Sequence, residues 1–219
     1  MKTELETTLD GSHTLYVPEI DETYHSTHGA IQESTHIFIN EGLKQCKKKY
    51  INILEIGFGT GLNAYLTAIE AKRTDIHINY YTLEKYPIPI GTALQLNYCQ
   101  LLSDTNLGSL FSEIHQAKWE KEVTVSDNFI LKKIQCDFTN YLPDTTFDVI
   151  YFDAFSPEKQ PEMWTEEQFR KMYAACNEGA IITTYCAKGS VRRALQAVGF
   201  KVERLPGPPG KREILRGIR

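Results

Sequence analysis

The stretch that most constrains this chain runs from residue 51 to residue 63, I-N-I-L-E-I-G-F-G-T-G-L-N. Ile51, Ile53, Leu54 and Ile56 form an apolar run broken only by Asn52 and Glu55. Such a run suits a strand buried on both faces of a parallel sheet. The chain then breaks into Gly57-Phe58-Gly59-Thr60-Gly61 and resumes as an apolar, Ala-rich segment, Leu62 to Ala71, that reads as a helix. Strand, glycine turn and helix together open a nucleotide-binding α/β unit, because glycines allow a sharp turn and close approach of a ligand. Taken alone, the loop serves a plain strand-to-helix turn equally well.

The spacing narrows the ligand. Dinucleotide sites read G-x-G-x-x-G, whereas this loop reads G-x-G-x-G after Glu55, and no phosphate-binding Lys-Ser/Thr follows. The compact E-x-G-x-G-x-G form resembles the first motif of class I S-adenosylmethionine (SAM) methyltransferases. Downstream, strand and helix patterns alternate. Ile76–Leu83 reads as a strand ending at Glu84, and Pro87–Leu102 and Asn106–Lys118 read as helices. Val123–Val125 and Phe129–Leu131 pair across an Asp127-Asn128 turn, and Phe147–Phe152 is a second buried strand. Thr165-Glu166-Glu167-Gln168 is a capping box for a helix to about Cys176, closed by Glu178-Gly179. A strand (Ala180–Tyr185), a helix (Gly189–Val198) and two short strands around a Pro/Gly loop complete the pattern. The alternation predicts an α/β fold, Rossmann-like, with a mostly parallel doubly wound sheet. Residues 1–45 read as a small N-terminal β/α extension, with Thr14–Val17 and Tyr24–Ser26 as short strands and Gly29–Leu43 as a helix, and 46–219 as the methyltransferase-like domain.

Three carboxylates fall at strand ends, the edge where doubly wound sheets bind ligands. Glu84 ends the second strand, where a carboxylate can accept bonds from two ribose hydroxyls. Asp137 either holds an adenine amine or caps the next turn; position alone does not choose. Asp153, in Asp153-Ala154-Phe155-Ser156-Pro157, lies where a methyl acceptor would sit. This segment loosely resembles the Asp/Asn-Pro-Pro-aromatic motif of amine methyltransferases. A primary amine is mostly protonated at neutral pH, so a base such as Asp153 is useful, and Phe155 can stack on a nucleobase. The alternative is that Asp153 caps the turn while Phe155 and Pro157 pack.

Composition sets the outer limits. The chain has 219 residues, 42% hydrophobic and 24% charged, ordinary values for a globular protein. No apolar run approaches the ~20 residues a membrane helix needs, and the first residues have no apolar leader pattern. Five scattered cysteines without a C-x-x-C pair predict free thiols and a cytoplasmic setting, and the six histidines show no zinc spacing. Net charge is −4, but unevenly spread. Up to Gly42 the acids face Lys2 alone, whereas from Lys188 onward the chain is strongly basic. That basic end is either a contact for a phosphate backbone or a solvated surface.

Several stretches resemble, in order, the methyltransferase half of the bifunctional bacterial enzymes that finish 5-methylaminomethyl-2-thiouridine in tRNA. They are Asp21-Glu22-Thr23-Tyr24-His25-Ser26, Glu33-Ser34 with Phe38, and Gly57-Phe58-Gly59-Thr60-Gly61-Leu62-Asn63. Further along come Asp153-Ala154-Phe155-Ser156-Pro157, Pro161-Glu162-Met163-Trp164, Val191-Arg192-Arg193 with Leu195, Gly199-Phe200 and Gly210-Lys211-Arg212-Glu213. The resemblance implies SAM-dependent N-methylation of 5-aminomethyl-2-thiouridine at the wobble position, with no metal and no flavin. It implies that Glu55, Gly57, Phe58, Gly59, Gly61, Asn63 and Glu84 hold SAM, with Asp137 near its adenine. Asp153 and Phe155 meet the acceptor, and Tyr24, Ser26 and Glu33 close over the pocket. Arg192, Arg193, Lys211 and Arg212 track tRNA phosphates. The implied partners are tRNA and the enzymes that make the aminomethyl precursor, since this chain lacks the length for the oxidase half. Two rival readings remain open: an aminopropyltransferase or other small-amine transferase on the same fold, and a non-catalytic RNA-binding module.

Overall fold

The computed structural model describes residues 2–102 and 109–219. It opens with three short antiparallel strands, β1 (Glu4–Thr7), β2 (His13–Val17) and β3 (Glu22–Thr23). Helix α1 (Ala30–Ser34) follows and widens into a π-helical stretch over Thr35–Asn40. The main α/β run is β4 (Tyr50–Ile56), α2 (Leu62–Thr74), β5 (His77–Glu84), α3 (Ile90–Ala93), α4 (Tyr98–Leu101) and α5 (Leu110–Gln116). It continues through the hairpin β6 (Glu122–Ser126) and β7 (Phe129–Gln135), then β8 (Phe147–Phe152), α6 (Glu166–Ala175), β9 (Cys176–Thr184) and α7 (Gly189–Ala197). The hairpin β10 (Lys201–Pro206) and β11 (Glu213–Ile218) closes the fold.

Eight of these strands form one sheet in the order β10-β11-β9-β8-β4-β5-β7-β6. β7, β5, β4, β8 and β9 are parallel, and β6, β10 and β11 run antiparallel to their neighbours. β4 and β8 are central, which is why both read as near-continuous apolar runs; every residue of β8 is buried. Alternate side chains feed two apolar layers. Ile51, Ile53, Tyr80, Leu131 and Tyr151 pack under α2, α5 and the N-terminal segment, while Leu54, Ile56, Ile150, Phe152 and Ile182 pack under α6 and α7. The sheet reverses its winding between β4 and β8, so the crevice for a ligand opens at their carboxyl ends. Among the described residues, no helix is long and apolar enough to cross a membrane.

The expected strands and the Thr165 cap are present; its side chain accepts from the Gln168 amide at 3.3 Å. Three details differ from expectation. The returning N-terminal strand is Glu22–Thr23, and Tyr24–Ser26 leave the ladder to reach the crevice. Pro87–Leu102 is not one helix but two short ones. Between them, Asn97 donates to the Gly11 carbonyl at 2.9 Å and accepts from the His13 amide at 2.8 Å, which ties this stretch to the extension. Glu178-Gly179 does not end α6; β9 starts at Cys176, with Gly179 at φ +73° and an irregular register against β8. Of the predicted helix Asn106–Lys118, Leu110–Gln116 is helical, and residues 106–108 lie outside the described residues.

Candidate active site

The glycine turn sets the floor of a cavity of about 360 Å³ at the carboxyl edge of the sheet, a size suited to a small molecule. Gly57 has φ +94°, and a Cβ there would come within 2.5 Å of the Asp153 carbonyl. Glycine therefore lets the ends of β4 and β8 meet. Gly59 lies under the Tyr24 ring, where a Cβ would approach to 2.7 Å. Phe58 lines the cavity and anchors its floor, its ring packed against His115 and Trp119 at 5.3 and 5.9 Å.

Glu84 faces this turn from the end of β5. One carboxylate oxygen accepts from the Gly59 amide at 3.0 Å and the other from the Tyr86 amide at 2.7 Å. Burial still pushes its carboxyl upward. Each oxygen keeps a lone pair for a further donor. Asp137 lines the same end of the cavity and also caps a turn. Its Oδ1 accepts from the Thr139 amide and hydroxyl at 2.9 and 2.6 Å, and its Oδ2 meets Lys85 at 2.8 Å. The Lys85 bond, with those from Thr139, holds the carboxyl at about 2.

At the opposite end, β8 delivers Asp153. Asn63, from the first turn of α2, donates to Asp153 Oδ2 at 2.8 Å. Burial pushes the Asp153 carboxyl up to about 7, Glu33 adds to the rise, and the Asn63 bond and Lys211 oppose it. Phe155 meets Tyr24 edge-on, with centroids 5.1 Å apart. The loop carrying both residues is pinned from three sides. Ser156 donates through its amide and hydroxyl to the two oxygens of Glu22 at 3.0 and 2.9 Å. Trp164 Nε1 donates to the Phe155 carbonyl at 2.8 Å, and the Tyr185 hydroxyl to the Ala154 carbonyl at 2.9 Å.

The N-terminal extension forms the roof. Tyr24, Ser26 and Glu33 all line the cavity, and Glu33 Oε2 accepts from the Ser26 amide at 2.8 Å. His25 is buried beside them, its Nε2 2.6 Å from Thr60 Oγ1, and burial lowers its ring to about 4.

The structure thus gathers Gly57, Phe58, Gly59, Asn63, Glu84, Asp137, Asp153, Phe155, Tyr24, Ser26 and Glu33 around one cavity. Others lie elsewhere. Glu55 is wholly buried below the turn and accepts from Thr82 Oγ1 at 2.6 Å; burial raises its carboxyl well above the usual range. Gly61 faces His115 and starts α2. Arg193 and Arg212 are exposed and Arg192 half-buried, all away from the cavity. Lys211 is separate from these arginines and turns inward to line the cavity. Sequence reasoning did not single out Glu22 or Tyr185. Glu22 sits in the Asp21–Ser26 stretch, and Tyr185 directly follows β9, a carboxyl-edge position that could have flagged it. Among the described residues, no group of three or more His, Cys, Asp or Glu could hold a metal ion.

Known proteins are similar to this chain. The bifunctional protein MnmC of Cupriavidus metallidurans, named for tRNA 5-methylaminomethyl-2-thiouridine biosynthesis, is 30% identical over 224 residues, covering 94% of this chain and 32% of that protein. The MnmC of Pseudomonas syringae pv. tomato is 31% identical over 216 residues, covering 91% and 32%. The chain spans about a third of the length of these curated relatives. The crystal structure of MnmC2 from Aquifex aeolicus superposes with a TM-score of 0.81 at 26% identity, over 99% of this chain and 69% of that one. Spermidine synthase from Thermotoga maritima shares the fold at a TM-score of 0.54 and 13% identity, over 100% and 71%. The sequence pattern of the S-adenosyl-L-methionine-dependent methyltransferases matches residues 106–219, just over half of the chain and including Asp153 and the loop after it. With the glycine turn and Glu84 facing Asp153 across one cavity, this match places the chain in the S-adenosyl-L-methionine-dependent methyltransferase family.

Proposed function

We propose that this chain N-methylates 5-aminomethyl-2-thiouridine at the wobble position of tRNA, giving 5-methylaminomethyl-2-thiouridine, with SAM as the consumed methyl donor. The observation that carries this reading is Asp153, a half-buried carboxyl raised to about 7, held by Asn63 in the same cavity as the glycine turn and Glu84. The two bifunctional relatives add the substrate, since both are named for biosynthesis of that nucleoside.

The residues present fit SAM. The glycine floor allows close approach, Glu84 retains acceptor capacity for ribose hydroxyls, and Asp137 and Lys85 flank the place for an adenine edge. SAM supplies a methyl group activated on a sulfonium. The protein must present an amine lone pair in line with that carbon. Asn63 fixes Asp153, and Phe155, braced by Tyr24, offers a ring face for the uracil base. As the N–C bond forms, the C–S bond breaks with its electrons left on sulfur, and Asp153 takes the proton shed by nitrogen. Arg193 and Arg212 offer exposed charge for tRNA phosphates.

The test is transfer of labelled methyl from SAM into tRNA blocked at the 5-aminomethyl stage, followed by nucleoside analysis. Label in 5-methylaminomethyl-2-thiouridine is the expected result. S-adenosylhomocysteine binding without label in tRNA would keep the donor site and move the acceptor to another amine.

A further inference from the structure

Lys211 belongs to the basic run that the family resemblance links to tRNA phosphates. It lies on the loop between β10 and β11, yet its ammonium points into the cavity rather than outward. Its Nζ is 3.2 Å from Glu33 Oε1 and 4.7 Å above the Tyr185 ring. Glu33 is only 7% exposed, so this pair is far less screened than a surface ion pair. The preceding Gly210 is packed on His28, where a Cβ would come within 2.4 Å of the ring. The loop is therefore seated against the extension, and the pair it forms overlooks Asp153.

We propose that the Lys211–Glu33 ion pair is a positioning element that sets the charge balance at the acceptor end of the cavity. Lys211 holds a fixed positive charge beside the acceptor nitrogen and Asp153, and Glu33 anchors and tempers it. The proposal rests on the reading above, in which the acceptor is an amine and Asp153 takes its proton. A nearby cation makes an ammonium easier to deprotonate and a carboxyl easier to ionise. Both effects favour the reactive pair, a neutral amine and a charged Asp153. The fixed anion of Glu33 acts in the opposite sense, and the two charges act oppositely on the Asp153 carboxyl itself. The remaining groups around Asp153 are Asn63, which donates to it, Glu55, whose carboxyl burial raises well above the usual range, and the hydroxyls of Tyr80 and Tyr185. Around Lys211 they are Glu33, Tyr185, Asp153 and the Cys186 thiol. Of the charged groups in this set, Lys211 is the one cation.

The experiment has two arms. The first is the pH dependence of kcat/KM for methyl transfer to the aminomethyl tRNA, in wild type, Lys211→Met, Lys211→Arg and Glu33→Gln. Lys211→Met should move the acidic limb to higher pH by about one half to one unit, Glu33→Gln should move it lower, and Lys211→Arg should restore it. The second arm follows the ¹³C resonance of the Asp153 carboxyl in the protein without tRNA, where the same opposite displacements are expected. If the wild type does not methylate tRNA, the acceptor reading fails while this second arm still decides the role of the pair. Unmoved limbs and resonances, or displacement in the same direction in both variants, would overturn it. So would weaker tRNA binding and a shallower salt dependence in Lys211→Met with an unchanged pH profile, the signature of a phosphate contact. Thermal melts and S-adenosylhomocysteine affinity report whether each variant is folded.

Discussion

A carboxyl group that titrates near neutrality is useful to the reaction and unfavourable to the fold, and Asp153 is both. Its folded value of about 7 lies above the ordinary 3.8. Between about pH 4 and 7 the native protein keeps a proton that the unfolded chain has released, so stability falls as pH rises through that window and stays lower above it. Asp153→Asn keeps an acceptor for Asn63 and removes the ionisation. It should raise Tm over wild type by about 2–6 °C at pH 8 and by less at pH 5, read by calorimetry. The same variant should lose about 100-fold or more in kcat while its S-adenosylhomocysteine affinity stays unchanged. Wild-type kcat/KM should fall as pH drops below about 7. At this scale the place of Asp153 and Glu84 was legible, because strand-end position alone brings them to the crevice. The place of Glu55 was not. It shares the glycine motif, but strand alternation turns it to the buried side of the turn. Asp137 caps a turn, one of its two readings, and also lines the cavity.

The acceptor loop after β8 is held by the N-terminal extension as much as by the sheet. Glu22, on the two-residue strand β3, receives both bonds from Ser156. Glu22→Ala leaves that amide and hydroxyl without their acceptor, which should cost about 1–3 kcal/mol in urea unfolding. Misplacement of Asp153 and Phe155 should also lower kcat/KM about tenfold or more. An intact kcat/KM would show that Trp164 and Tyr185 suffice to hold the loop. The strands β4 and β8 were legible because burial on both faces writes itself as an apolar run, and β5 because its residues alternate. The break of Pro87–Leu102 into α3 and α4 was not, since its cause is Asn97 binding the Gly11–His13 turn more than eighty residues away. Local pattern carries no record of a partner so distant.

Across the molecule, charge separates into two uses that the sequence merged. Arg193 and Arg212 stay on the surface, while Lys211 turns into the cavity. Arg193→Glu and Arg212→Glu should weaken tRNA binding and lower the salt slope by about one or more each, with S-adenosylhomocysteine affinity unchanged, measured by filter binding across salt concentrations. The basic run was legible as a composition. Its division was not, because Glu33 and Lys211 meet only when the ends of the chain are brought together over the crevice. The order of the sheet has a consequence in time. β11 follows β10 in the chain but sits between β10 and β9, so during synthesis β9 presents an open edge until β11 leaves the ribosome. The roof also lacks its Lys211–Glu33 ion pair until then, because Lys211 is carried on the turn into that same strand. A nascent chain stalled before residue 213 would therefore hold most of the cavity lining, an unpaired strand edge inviting aggregation, and a Glu33 that still awaits the turn before β11 to be locked in place.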